Sequence, residues 1–208
     1  FINQAYKPQK RFRFAIMGAG SIAQHFCSAV KPLENCRVVA IASKSAERAA
    51  QFATENDVAE FFDSYEEMLK RVRPDCVYIA VTPNDHYRLG MLCLDYDIPV
   101  LCEKAMFLNS QEARTFFAAA EAKGLFSMEA LWSRFLPSLN TARGWLRDRR
   151  IGELVLAEIS VGFAAPTEPT NRFFSTALGG GAASDVTVYG YELITWLLER
   201  KVQRSHVE

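Results

Sequence analysis

Arg13-Phe14-Ala15-Ile16-Met17-Gly18-Ala19-Gly20-Ser21-Ile22-Ala23 decides how this chain folds. Residues 13–17 are an apolar run of strand length, and residues 21–30 read as a helix. Between them stands G-x-G-x-x-A. Gly18 permits a tight turn out of the strand, Gly20 lets backbone approach a pyrophosphate, and Ala23 is small enough for a helix to lie close on a sheet. The helix N-terminus presents free N–H groups and a positive dipole to an anion. Alone, the glycine pattern is weak. Between a strand and a helix it points to dinucleotide binding, with Gly18, Gly20, Ser21 and Ile22 as candidate contacts.

Outward from this turn, strands and helices alternate. Residues 37–42, 60–62, 76–81, 99–102 and 125–128 read as strands. Helices are predicted over 46–55, 65–71, 87–96 and 110–123, the last capped by Ser110 and ended by Gly124. Strands without polar alternation, separated by helices, imply a parallel sheet covered on both faces. The fold class is therefore α/β, with a Rossmann-like doubly wound domain over 10–130. A second domain over 131–208 begins with a helix at 135–149, whose end carries Arg143, Arg147, Arg149 and Arg150. A strand follows at 154–163, then a helix from about 182 to 198 and the start of another strand over 201–208. One strand makes no sheet, so this domain reads as incomplete or as pairing its edge with something else.

The end of the second strand bears on the choice of dinucleotide. NAD sites place an acid there to hold the ribose hydroxyls. This chain has Ser43-Lys44-Ser45, with Arg48 one turn on. A hydroxyl and two cations suit a 2′-phosphate, so NADP is preferred over NAD. The plain alternative is an exposed loop lysine. Two further segments fall at strand ends, on the rim where such sheets bind ligands: Thr82-Pro83-Asn84-Asp85-His86 and Glu103-Lys104. Lys104 beside a nicotinamide could give or take a proton. By spacing alone, Glu103-Lys104 equally reads as a surface ion pair and His86 as a structural histidine.

Composition narrows the classes. The chain has 208 residues, half of them hydrophobic, and 24 basic against 24 acidic residues. A large core is possible, and zero net charge argues against a general nucleic-acid binder. No apolar run approaches the ~18 residues that cross a bilayer. The chain opens on Phe1-Ile2-Asn3-Gln4 without a signal-type core or an initiating Met, so residues are expected to be missing at one or both ends. Five cysteines (Cys27, Cys36, Cys76, Cys93, Cys102) form no C-x-x-C pair, and His25, His86 and His206 are far apart. The cysteines read as small buried hydrophobes in a reducing, cytoplasmic compartment, with no metal site.

Five segments then occur in one order: GAGSIA at 18–23, VYIAVTPNDH at 77–86, CEK at 102–104, EALWSRF at 129–135 and GGGAASD at 179–185. Together they resemble the Gfo/Idh/MocA oxidoreductases, over about 13–200. The E-A-x-W-x-R-F run and a tyrosine after the aspartate are most similar to the branch of dihydrodiol dehydrogenases and NADP-dependent xylose dehydrogenases. The resemblance implies a Rossmann domain followed by an α+β domain with a large, mostly antiparallel sheet. It implies hydride transfer between nicotinamide and a carbinol or carbonyl carbon of a sugar, polyol or cyclic diol. A homo-oligomer, dimer or tetramer, would form through the second-domain sheet.

The resemblance also assigns residues. Glu103 and Lys104 match the family's E-K-P, whose lysine serves proton transfer and contacts the cofactor; here Ala105 replaces the proline. Thr82, Pro83, Asn84 and His86 match positions near ribose and phosphates, and Trp132 and Arg134 match a stretch beside cofactor and pocket. Asp185 matches the acid of G-G-G-x-x-x-D, and Tyr189 stands where this branch has tyrosine. Four apart in a helix, Asp185 and Tyr189 would project from one face and could relay a proton with Lys104. By spacing alone they equally read as a capping acid and a core tyrosine. The alternative to an active dehydrogenase is an inactive NADP-binding regulator of the same family.

Overall fold

In a computed structural model, residues 10–166, 168, 170–199 and 202–204 are described. The chain divides into two units that meet in sequence at Glu129 and Ala130.

In the first unit the alternation forms as its apolar pattern requires. The order is β1 (Phe12–Met17), α1 (Ser21–Val30), β2 (Cys36–Ala42), α2 (Ala46–Glu55), β3 (Glu60–Phe62) and α3 (Tyr65–Val72). Then come β4 (Cys76–Ile79), α4 (Pro83–Asp95), β5 (Val100–Glu103), α5 (Ser110–Ala122) and β6 (Ser127–Ala130). The strands lie in one sheet in the order β3-β2-β1-β4-β5-β6. Pairings β1–β2, β2–β3, β1–β4 and β4–β5 run parallel, with Met17 opposite both Ala42 and Ile79. The order reverses direction between β1 and β4, and such a switch point opens a ligand crevice at the carboxyl ends of the strands.

The sheet is the core. Ile16, Met17, Ile41, Val77, Ile79 and Val100 have no exposed surface. Helices cover them with Met68 and Leu69 of α3, Leu89 and Cys93 of α4, and Phe116 of α5, all but free of solvent. Helices α4 and α5 come together where Gly90 has no side chain. A Cβ there would lie 2.9 Å from Cε2 of Phe116. All five cysteines are free thiols, four of them buried. Burial pushes Cys27 up to about 11 and Cys76 up to about 12, so both stay protonated and unreactive at neutral pH.

Helix starts differ in detail from the sequence reading. Ser45 and Ser64 cap α2 and α3, accepting from the N–H groups of Arg48 and Glu67. Helix α5 is capped by Asn109 instead of Ser110, its side chain accepting from Gln111 and Glu112. Helix α4 begins at Pro83, ahead of the expected residue 87, because proline suits a first helical turn whose N–H groups have no partner.

The second unit departs further. Trp132–Phe135 is a 3-10 turn, and α6 begins only at Pro137, ending at Arg147. The strand expected over 154–163 is irregular chain, with Val155 94% and Leu156 73% exposed. A strand exists by hydrogen bonding to a neighbour, and no strand occurs among the described residues beyond Ala130. The antiparallel sheet is therefore not seen there. Of the strand expected at 201–208, residues 202–204 are irregular and the others lie outside the described residues. The helix expected over 182–198 is two helices, α7 (Ala182–Asp185) and α8 (Thr187–Leu198), separated at Val186. Among the described residues no helix is long and apolar enough to cross a membrane, and no acid, cysteine and histidine cluster could hold a metal ion.

Candidate functional site

Strand β1 delivers the chain to Gly18, whose φ is +106° and whose N–H donates to the Ala42 carbonyl at 2.8 Å. A Cβ there would lie 2.5 Å from the Ala80 carbonyl oxygen, in a backbone conformation L side chains avoid. Gly20, the N-cap of α1, is extended and offers no capping side chain. A Cβ on Gly20 would meet nothing within 4 Å. Gly18 thus serves the fold, while Gly20 leaves room beside a helix N-terminus, flanked by the exposed Ser21 and Ile22.

The two glycines should separate on substitution. Gly18→Ala is expected to cost ~2–4 kcal/mol of stability. Gly20→Ala should leave the melting temperature within about 2 °C, a surface-type change, yet weaken dinucleotide binding about tenfold. Thermal melts beside coenzyme titrations check both.

At the end of β2, Ser43 is buried and its N–H donates to the Phe62 carbonyl. Lys44 is exposed, and its ammonium donates to Asp85 Oδ2 at 2.6 Å. Arg48 reaches back to donate to the Ala19 carbonyl at 3.2 Å, which lays its guanidinium beside the glycine turn. The acid in this cluster comes from α4; the sequence reading set it on the strand-end rim but did not pair it with Lys44. Burial pushes the Asp85 carboxyl up, but its bonds to Lys44 and Arg88 outweigh that and hold it below the usual range.

The β4 and β5 ends are tied together from below. Thr82 is the N-cap of α4, Pro83 is buried and Asn84 is exposed. His86 has no exposed surface. Its Nε2 lies 3.1 Å from the Val81 carbonyl, and its Nδ1 lies 3.1 Å from the carbonyls of Ala105 and Met106. Its ring therefore joins the two loops and leaves no nitrogen for a ligand. Burial holds its pKa below the ordinary value, although the three carbonyls pull the other way.

The Lys104–Ala105 peptide is cis. Around it, Tyr78 donates to Glu103 Oε1 at 2.5 Å, and Glu103 Oε2 accepts from the Lys104 N–H at 3.3 Å. Glu129 of β6 accepts from the Met106 N–H at 2.7 Å. Phe26 of α1 stacks on Tyr78 with centroids 4.1 Å apart. Burial raises the Glu103 carboxyl above its usual range, opposed by Tyr78 and the Lys104 N–H. Side chains from three neighbouring strands thus hold the loop that carries Lys104, which is half-buried.

The second unit has its own polar group. Trp132 donates to the Tyr189 hydroxyl at 3.1 Å. Glu192, buried in α8, accepts from Ser133 at 3.1 Å and from Arg134 Nε. Asp185 is buried, with Arg172 at 3.7 Å. The break at Val186 removes the continuous helix face expected to carry Asp185 and Tyr189.

The first unit therefore brings Gly18, Gly20, Ser21, Ile22, Ser43, Lys44, Arg48, Thr82, Pro83, Asn84, Glu103 and Lys104 to the carboxyl ends of its strands. The second brings together Trp132, Arg134 and Tyr189 around α8. Sequence inspection missed Tyr78, Asp85, Glu129 and Glu192 as partners. Their available signal was a polar group in or beside an apolar element.

Known proteins bear on this geometry. The family described as "Oxidoreductase family, NAD-binding Rossmann fold" matches residues 12–130, and the GFO/IDH/MocA C-terminal domain matches 139–208. Trans-1,2-dihydrobenzene-1,2-diol dehydrogenase of Sus scrofa is 33% identical over 185 residues, 88% of this chain and 55% of that enzyme. The chain thus spans about half the length of the curated relatives it matches. An NAD-binding protein from Listeria innocua superposes with a TM-score of 0.81 at 22% identity, covering 90% of this chain and 55% of that one. Scyllo-inositol dehydrogenase from Lactobacillus casei, with NAD(H) and scyllo-inositol bound, gives 0.65 at 18% identity, covering 69% and 43%. On its sequence match across both units and its 3-2-1-4-5-6 sheet, the chain belongs to the Gfo/Idh/MocA oxidoreductase family.

Proposed function

We propose that this chain is part of an NADP-dependent dehydrogenase of polyols, sugars or cyclic diols, with Lys104 moving the proton at the substrate oxygen. The observation that carries the reading is the strand-end rim. It holds an open glycine cradle at Gly20, cations at Lys44 and Arg48, and a loop-held lysine at 104. The cradle fits a pyrophosphate, since no side chain caps the helix N-terminus and the space beside Gly20 is open. The diol and inositol activities named for relatives support the substrate class.

When bound, a nicotinamide coenzyme supplies the hydride acceptor or donor. The protein supplies the rest. The first turn of α1 binds phosphate, and Lys44 and Arg48 complement a 2′-phosphate where an NAD site would have a carboxylate. Lys104 takes the hydroxyl proton as a carbinol is oxidised and returns it on reduction. We assign Asp185 and Tyr189 to hydrogen bonds that orient substrate hydroxyls.

The test uses intact, full-length protein with NADP⁺ or NAD⁺ and a panel of inositols, pentoses, hexoses and cyclic diols, following absorbance of the reduced nicotinamide. Reduction with at least one polyol or diol, faster with NADP⁺, is expected. Coenzyme binding without turnover across the panel would replace this reading with that of a regulator.

A further inference from the structure

Resting on the NADP reading, we propose that Asp85 is a specificity-determining residue of the coenzyme site, its carboxylate competing with a 2′-phosphate for Lys44. Lys44 follows β2, where the adenine ribose is held in this fold class. Asp85 comes from a different element, the first turn of α4, and divides its oxygens. Oδ2 accepts from Lys44 at 2.6 Å, and Oδ1 accepts from Arg88 Nη2 at 3.2 Å and Nε at 3.3 Å.

The pair is asymmetric. The Asp85 side chain is 16% exposed and the Lys44 side chain 69%. The acid is therefore the fixed member, supported by the N-terminal dipole of α4, and the lysine is the member free to swing. Tyr65, at the start of α3, lies in the field of Lys44, Asp85, Arg88 and Arg48 alike, so the loop after β2 and helices α2, α3 and α4 converge on one charged patch.

Opposite demands follow for the two coenzymes. A 2′-phosphate must take Lys44 from Asp85 and then sit near a like charge, which weakens it. A free 2′-hydroxyl can donate to a carboxylate, the part usually played by the acid at the end of the second strand. Asp85 thus moderates a preference that Lys44 and Arg48 create, and keeps NAD within reach of the site.

Calorimetric titration of the full-length protein with NADP⁺ and NAD⁺ at fixed salt tests this. Asp85→Asn and Asp85→Ser should each raise the preference for NADP⁺ over NAD⁺ about tenfold, mainly by tighter NADP⁺ binding. Lys44→Ala should lower it. If both Asp85 variants leave the preference unchanged or lower it while Lys44→Ala still lowers it, this inference is overturned and the NADP reading stands. If Lys44→Ala does not move the preference and the parent protein favours NAD⁺, the NADP reading falls with it.

Discussion

Lys104→Ala is expected to reduce turnover by ~10²–10⁴-fold, the usual share of a general acid–base group, while the coenzyme dissociation constant stays within about threefold. The separation follows from how the loop is built. Its position is set by Glu103 at the Lys104 N–H, by Glu129 at the Met106 N–H, and by His86 beneath the carbonyls of Ala105 and Met106. These bonds run to the loop backbone and are kept in the variant, while alanine removes the proton carrier. Lys104→Arg should not restore the rate, because a guanidinium does not release its proton in a protein. Steady-state rates beside coenzyme titrations decide it; turnover within threefold of the parent's would remove Lys104 from the proton step.

His86→Ala should be the most damaging change to stability in the site region, at ~3–5 kcal/mol. It leaves a cavity where a side chain without exposed surface stood, and it removes the one ring N–H that the neutral imidazole donates, either to the Val81 carbonyl or to those of Ala105 and Met106. The same residue sets a pH dependence. Burial lowers its pKa in the folded chain below the ordinary 6.5. The unfolded chain then binds the proton more readily, so the stabilisation is complete above about pH 6.5 and is lost as the pH falls below it. Denaturant melts from pH 8 to 5 should show this slope in the parent, and His86→Leu should flatten it. An equal slope in both would assign the acid sensitivity to other groups.

What sequence could show and what it could not divide along physical lines. Residues 13–17 and 37–42 are apolar after their leading arginine and 76–81 are apolar throughout, and such runs are buried on both faces whatever surrounds them, so β1, β2 and β4 were legible. The glycine turn was legible for the same reason, since its constraint is local. Residues 154–163 have as good a strand composition, yet a strand needs partners, and composition carries no information about them. The break at Val186 and the cap at Asn109 are contests between near-equal local choices. In the candidate site, Lys104, Lys44 and Arg48 were visible as charges at strand ends. Their companions were hidden because pairing is tertiary: Tyr78 lies 25 residues from Glu103, and Lys44 lies 41 from Asp85. No periodicity links positions so far apart.

The missing side chain at residue 90 has an evolutionary corollary. A methyl group there would press on the ring of Phe116, which is enclosed on all sides and cannot retreat. Relatives bearing alanine or serine at the equivalent of 90 should therefore carry a slimmer aliphatic at the equivalent of 116. The two positions would then drift as a couple across the lineage.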